Sequence, residues 1–550
     1  MPNVADHVRT HAGDDRVAIR FEDESWTWDD YVRACAQRAA YLSDHLPSGA
    51  PPHLGVLLDN TPEYLMWLGA TALLGTVVVG INPTRRGAEL ARDITHTDCQ
   101  IVVTEERHLS LLDGLDLGDA NGRVLVVDDA ASVAQLAPYA GAPLPEVDID
   151  EKGIYNLLFT SGTSGAPKAC ILSQFRLASS SSVLVGNVGL GPDDVLYMMM
   201  PLFHSNAIIT AYMPWLICGG TAAVRRRFSA SGFLPDVRRY GVTYFNYVGK
   251  PLSYILATPE QPDDADNPLR IAFGNEAADL DIERFARRFG CAVIDGYGST
   301  EGGANVSRSP DMPRGSLGMP ADGIVVLDPE TLEEMPRARF DEHGRLLNPD
   351  ECIGEIVNRN GAKGFEGYYK NDEANAQRVR HGWYWSGDLG YRDEAGYLYF
   401  AGRDFEWIRV DGENFAAAPV ERILARHSAV VLAAVYAVPD EEVGDQVMAT
   451  ILVKPGTEFD PEDFDEFLAE QTDLGTKWSP RYVRVTEDMP VTESQKPMKR
   501  QLRRERWDTD EPVFWRPTKG APLRRMTGED RAALLAEFAR HGRLAALDAG

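Results

Sequence analysis

The stretch Leu157 to Ser173, LLFTSGTSGAPKACILS, has the residue types that grip phosphates. Gly162 and Gly165 let the backbone approach an anion with no Cβ in the way, while Thr160, Ser161, Thr163 and Ser164 present hydroxyls and N–H groups. Lys168 closes the stretch with a positive charge. No Gly-Lys-Ser/Thr triplet follows, so this is not a Walker A loop, and a glycine–serine loop by itself also reads as a plain turn. Two further glycine-bearing stretches follow apolar runs: Gly274-Asn275-Glu276 after Arg270 to Phe273, and Gly296-Tyr297-Gly298-Ser299-Thr300-Glu301 after Ala292 to Asp295. Loops at the carboxyl ends of parallel strands are where α/β sheets bind ligands, and Tyr297 offers a face on which adenine can stack. Mg²⁺ on a triphosphate needs only one or two protein carboxylates, so Glu301 is chemically sufficient to hold it.

These loops need rigid strands beneath them. Tyr155 to Phe159 reads as a buried strand leading into the first loop. The apolar stretch Tyr64 to Ile81 reads as a helix and then a strand, because Thr61 and Pro62 start a helix and Gly75 breaks the run before four β-branched residues. Short apolar runs at 101–104, 124–127, 221–224 and 242–247 alternate with helical or loop segments, which points to α/β layers. With 550 residues the chain exceeds one core, and its 44% hydrophobic content is that of a globular protein. The net charge of -28 argues against nucleic acid or an anionic membrane as the main partner. The six cysteines are scattered with no Cys-x-x-Cys pair, and the N-terminus lacks an apolar core, so a reducing cytoplasm is expected and export is not.

Thr-Ser-Gly-Thr-Ser-Gly followed by Pro167 and Lys168 resembles the signature of the adenylate-forming superfamily of acyl-CoA synthetases, luciferases and peptide-synthetase adenylation domains. Later segments resemble that family in the same order, and most nearly its fatty-acid transport protein and fatty-acyl-CoA synthetase branch. The resemblance implies that Pro201 to Ala207, with His204, lies beside the acyl and α-phosphate site. Amino-acid-activating relatives usually have aspartate where His204 stands, so amino-acid activation is disfavoured. It implies that Tyr247, Val248 and Gly249 line the acyl pocket, although by themselves they read as a core strand. Asp388, in Trp383 to Tyr391, and Arg403 are similar to the family's ribose-binding pair; a carboxylate can accept two hydroxyls of a vicinal diol at once. Gly412, in Val410 to Phe415, resembles the pantetheine-channel loop, and Lys496 resembles the lysine that serves adenylation. Phe405 stands where the family's hinge residue is commonly aspartate, lysine or a small residue, which puts full domain alternation in question. Arg225, Arg226 and Arg227 form a basic run that reads as a solvated face or as a contact for coenzyme A phosphates.

The expected fold is α/β, with a large multi-subdomain N-terminal adenylation domain over residues 1–403, a small mobile α+β domain over 404–506, and a tail over 507–550 ending in an amphipathic helix. The expected chemistry is ATP- and Mg²⁺-dependent activation of a fatty or aryl acid to an acyl-adenylate, then transfer to coenzyme A. Thr163, Glu301, His204 and Lys496 are the catalytic candidates, and Glu301 is the metal ligand. Two alternatives share the nucleotide motifs: a diazotase that activates nitrite for an aryl amine, and a non-catalytic nucleotide or acyl-CoA binder.

Overall fold

The computed structural model describes residues 2–160, 168–309, 312–342, 346–403, 407–410, 413–442, 444–475, 477–492, 495–518 and 520–548. The apolar stretch after Thr61 is a helix, Pro62–Leu74, with proline in its first turn and Gly75 in the left-handed conformation at its end, followed by the strand Val77–Gly80. The helix is buried nearly all round, as its lack of a polar face requires. It lies in the largest apolar core, with strands of two sheets and the ring stack of Trp28 on Trp215. No described helix is long and apolar enough to cross a membrane.

One sheet has six strands in the order Val124–Val126, Cys99–Thr104, His53–Leu57, Val77–Gly80, Ile154–Thr160, Lys168–Ser173. The first five are parallel, and the last is antiparallel, so Thr160 and Lys168 face each other at the base of the glycine–serine loop. The other large sheet has eight strands, with a parallel centre in the order Ala292–Tyr297, Ile271–Asn275, Tyr244–Val248, Val195–Met198, Thr221–Val224, Val17–Phe21. Its order reverses at Val195–Met198, whose successors in the chain lie on opposite sides of it. A crevice opens beyond the carboxyl ends at such a reversal, and Phe203 to Asn206 line it.

A six-stranded antiparallel sheet follows, in which Trp383–Arg392 pairs with Leu398–Arg403 and places Asp388 opposite Arg403. Beyond it come the hairpin Trp407–Val410 with Glu413–Ala416 and a five-stranded sheet built on Val430–Pro439 and Asp445–Val453. The residues expected as a tail belong to that last sheet. Val513–Trp515 pairs with Tyr482–Thr486, and the helix Gly528–Arg540 buries Leu534 and Phe538 in the same core as Trp507 and Tyr482.

Gly274 shows how closely the central strands are fitted. A Cβ on it would lie 2.3 Å from the backbone oxygen of Tyr247 and 2.5 Å from that residue's ring, on the adjacent strand. Gly274→Ala must therefore spread two strands just before they deliver Asn275 and Glu276. The expected cost is about 1–3 kcal/mol, read as a lower melting midpoint, with a raised KM for ATP; an unchanged midpoint would show that the strands yield freely.

Candidate active site

The carboxyl ends of the parallel strands open into one cleft of about 2450 Å³. Lys168, Glu301, Tyr297, Asp388, His204 and Lys496 all line it, although they lie far apart in the chain. At one end Glu301 is 5% exposed and accepts a hydrogen bond from the Tyr368 hydroxyl at 2.5 Å. That hydroxyl accepts in turn from Nε of Arg378 at 3.1 Å, and Lys168 Nζ stands 5.8 Å above the Tyr368 ring. Burial and the neighbouring Arg378 lower the Lys168 pKa, while Glu301 opposes them. Two cations thus flank one carboxylate. The set suits Mg²⁺ that arrives on a polyphosphate, because the surplus positive charge favours the polyanion.

Tyr297 and Asp388 form the next part of the wall. The Tyr297 hydroxyl donates to Asp388 at 2.7 Å, so this ring, expected as an adenine platform, is fixed through the carboxylate expected to hold ribose. Thr300 is held from both sides: its hydroxyl bonds Ser205 at 2.6 Å, and its carbonyl accepts from Arg176 at 2.6 Å. Asn275 Nδ2 donates to the Gly296 carbonyl at 2.8 Å, linking the two strand-end loops. Gly298 and Ser299 also line the cleft.

Other expected residues are placed differently. Tyr247 does not line the cleft; it is fully buried behind it, and its hydroxyl donates to Asp295 at 2.9 Å. Val248 and Gly249 do line it, whereas Gly274 is packed against Tyr247. Arg403 ends its strand opposite Asp388. Ser161, Gly162, Thr163, Ser164, Gly165, Phe405 and Gly412 lie outside the described residues. The basic run is tied down by acids: Arg225 to Asp236, Arg226 to Glu105, and Arg227 to Asp59 at 3.3 Å. Among the described residues, Asp59, Glu105 and His108 form the one group with metal-ligand spacing, and Arg226 and Arg227 already pair with its carboxylates. Three residues around Glu301 and Thr300 were missed from the sequence: Tyr368, Arg378 and Arg176. Tyr368 arrives because Gly367 to Tyr369 pairs along the strand that begins at Lys168, and only the doubled tyrosine after a glycine hinted at it.

Lys496 enters from the C-terminal part of the chain, and its Nζ lies 2.6 Å from Glu276, a non-glycine residue held at φ 68°. His204 is partly buried with its ring 4.7 Å from that of Phe203. Burial, helped by the positive charge of Lys496, pushes its pKa down to about 4. The ring is therefore neutral at pH 7. Because the folded value lies below the unfolded one of about 6.5, its contribution to stability is complete above pH 6.5 and is lost as pH falls toward 4. The melting midpoint of the wild type should drop relative to that of His204→Gln between pH 7 and pH 5. A constant difference across that range would mean that His204 titrates normally.

The AMP-binding enzyme family matches residues 5–369, and the AMP-binding enzyme C-terminal domain matches residues 419–496. The chain is 53% identical to steroid-22-oyl-CoA synthetase of Rhodococcus jostii over 96% of both chains. It is 48% identical to medium/long-chain-fatty-acid–CoA ligase FadD17 of Mycobacterium marinum, over 90% of this chain and 95% of that one. Among solved structures it superposes on ATP-bound MatB from Rhodopseudomonas palustris with a TM-score of 0.76, 24% identity and coverage of 91% and 98%. The anthranilate CoA ligase AuaEII in complex with anthranoyl-AMP gives 0.78, 21% identity and coverage of 91% and 96%. The chain belongs to the AMP-binding enzyme family and is an ATP-dependent, AMP-forming acid–CoA ligase.

Proposed function

We propose that the acid is a bulky hydrophobic one, a steroid side-chain acid or a medium- to long-chain fatty acid. One cleft is lined both by the charged groups Lys168, Glu301 and Asp388 and by the apolar side chains Val183, Leu184, Val188, Ile209, Phe273 and Ile294, and this carries the reading. His204 and Lys496 line the same cleft. The names of the two relatives, a steroid-22-oyl-CoA synthetase and a medium/long-chain-fatty-acid–CoA ligase, support this substrate class. Both relatives are named as CoA ligases, so the diazotase reading has no support from them, and the intact cluster of charged side chains argues against a non-catalytic binder.

A carboxylate is a poor electrophile, so it attacks the α-phosphate of ATP to give acyl-adenylate and pyrophosphate, and the thiol of coenzyme A then displaces AMP. In this reading Asp388, oriented by Tyr297, holds the ribose, while Lys168 and the loop ahead of it neutralise the phosphates. Glu301, oriented by Tyr368, holds Mg²⁺, which neutralises phosphate charge when bound. Lys496 leaves Glu276 for the space between the incoming carboxylate and the α-phosphate oxygens, where two negative groups converge. Neutral His204 adds no charge to that junction and lets an apolar acid pass. We place the mobile-domain boundary after Arg403 and the enzyme in the cytoplasm, where its six unpaired cysteines would stay reduced.

Supplied with ATP, Mg²⁺ and coenzyme A, steroid side-chain and long-chain fatty acids should yield thioester and AMP, and amino acids should not. Pyrophosphate release only with nitrite and an aryl amine would overturn the reading. Lys496→Ala should lose roughly a hundredfold or more in thioester formation from ATP and free acid. Given a synthetic acyl-adenylate and coenzyme A, the same variant should form thioester at near the wild-type rate. Equal loss in both assays would remove Lys496 from the adenylation step.

A further inference from the structure

The helix that begins just after His204 is not regular. Ser205–Ala207 is α-helical, Ile208–Tyr212 is a π-turn, and Met213–Cys218 is α-helical again. The cause lies in the sequence: Pro214 carries no N–H, and the carbonyls it would serve in α or π geometry are those of Thr210 and Ile209. Each of those carbonyls receives a side-chain hydroxyl. Ser181 donates to the Ile209 carbonyl at 2.8 Å, and Tyr244 donates to the Thr210 carbonyl at 2.7 Å. Both donors are fully buried. Ile209 and Thr210 themselves line the cleft, as do the apolar Val183, Leu184 and Val188.

The two donors belong to the two elements on either side of the π-turn. Ser181 sits on the helix Gln174–Val188, whose Ser180, Val183 and Leu184 line the cleft, and Tyr244 begins the strand Tyr244–Val248, which ends at the lining residue Val248. The turn is further tied to its own start, because the Thr210 hydroxyl donates to the Asn206 carbonyl at 2.7 Å. Helix, turn and strand are therefore joined by hydroxyls that close carbonyls opened by a proline.

We infer that Ser181 and Tyr244 are positioning residues for acid recognition: by clamping the π-turn they fix the separation of the helix Gln174–Val188 from the strand Tyr244–Val248, and with it the width of the acyl end. This rests on the acid–CoA ligase reading and deepens it. A rigid ring system needs a wall already in place, whereas a flexible chain can adapt to a looser one, so losing the clamp costs the rigid acid more.

The test compares a steroid side-chain acid with palmitate in the wild type, Ser181→Ala and Tyr244→Phe, using thioester formation and separate KM values for acid and ATP. Each substitution should lower the steroid-to-palmitate ratio of kcat/KM by about fivefold or more, the scale of one lost buried hydrogen bond, through the acid's KM. The KM for ATP should stay near the wild-type value, and Ser181→Thr, which keeps the hydroxyl, should restore the ratio. An unchanged ratio, or an equal loss for ATP, would overturn the inference; Tyr244→Phe decides it alone if Ser181→Ala does not fold. A wild type that forms thioester from neither acid would instead overturn the ligase reading, whatever the variants do.

Discussion

Parallel strands in register release their chains on one side of the sheet, and the arrangement of this protein depends on that constraint. Tyr244–Val248, Ile271–Asn275 and Ala292–Tyr297 are neighbours in register, so Gly249, Glu276 and Tyr297 follow side by side. Hydrogen bonding along the strands fixes the spacing of these loops to the spacing of the strands, about 4.8 Å per step. Side chains distant in sequence then meet without a long search for contacts. The cross-loop bond from Asn275 to Gly296 and the packing of Gly274 on Tyr247 are local consequences of the same register.

Charge is organised as tightly as the backbone. The chain carries a net charge of -28, yet the cleft gathers cations beside single carboxylates, as Lys168 and Arg378 do around Glu301. Elsewhere arginines are spent on acids, as in the group around Asp59. Burial would raise the Asp59 carboxyl, but His108 and Arg227 outweigh it and hold it at about 2. The cleft therefore attracts anions locally, against the field of the molecule as a whole.

What could be seen in the sequence follows from how local each signal is. Pro62 and Gly75 mark a helix by their own backbone preferences, and the loops with Glu301 and Asp388 carry their glycines and aromatics beside them. Tyr368 carried only the doubled tyrosine after a glycine, because an edge pairing with Cys170 brings it beside the strand of Lys168 from about two hundred residues away. Tyr247 was expected in the cleft with Val248 and Gly249, but successive strand residues point to opposite faces, and its ring went to Asp295. The run Arg225 to Arg227 looked basic in isolation because its partners, Asp59, Glu105 and Asp236, lie elsewhere in the chain.

The strand Val513–Trp515 and the residues around it bear on where the C-terminal unit can be cut. The family match stops at residue 496, but the Tyr482 ring stacks with those of Trp507 and Trp515, with centroids 4.7 and 6.1 Å away. A chain shortened to the family boundary would lose the partner of Tyr482–Thr486 and leave that strand as an open, apolar edge. Such an edge is a template for pairing with other molecules. The residues after Lys496 thus cover the edge of Tyr482–Thr486, and an expression boundary drawn at the end of the family match would expose it.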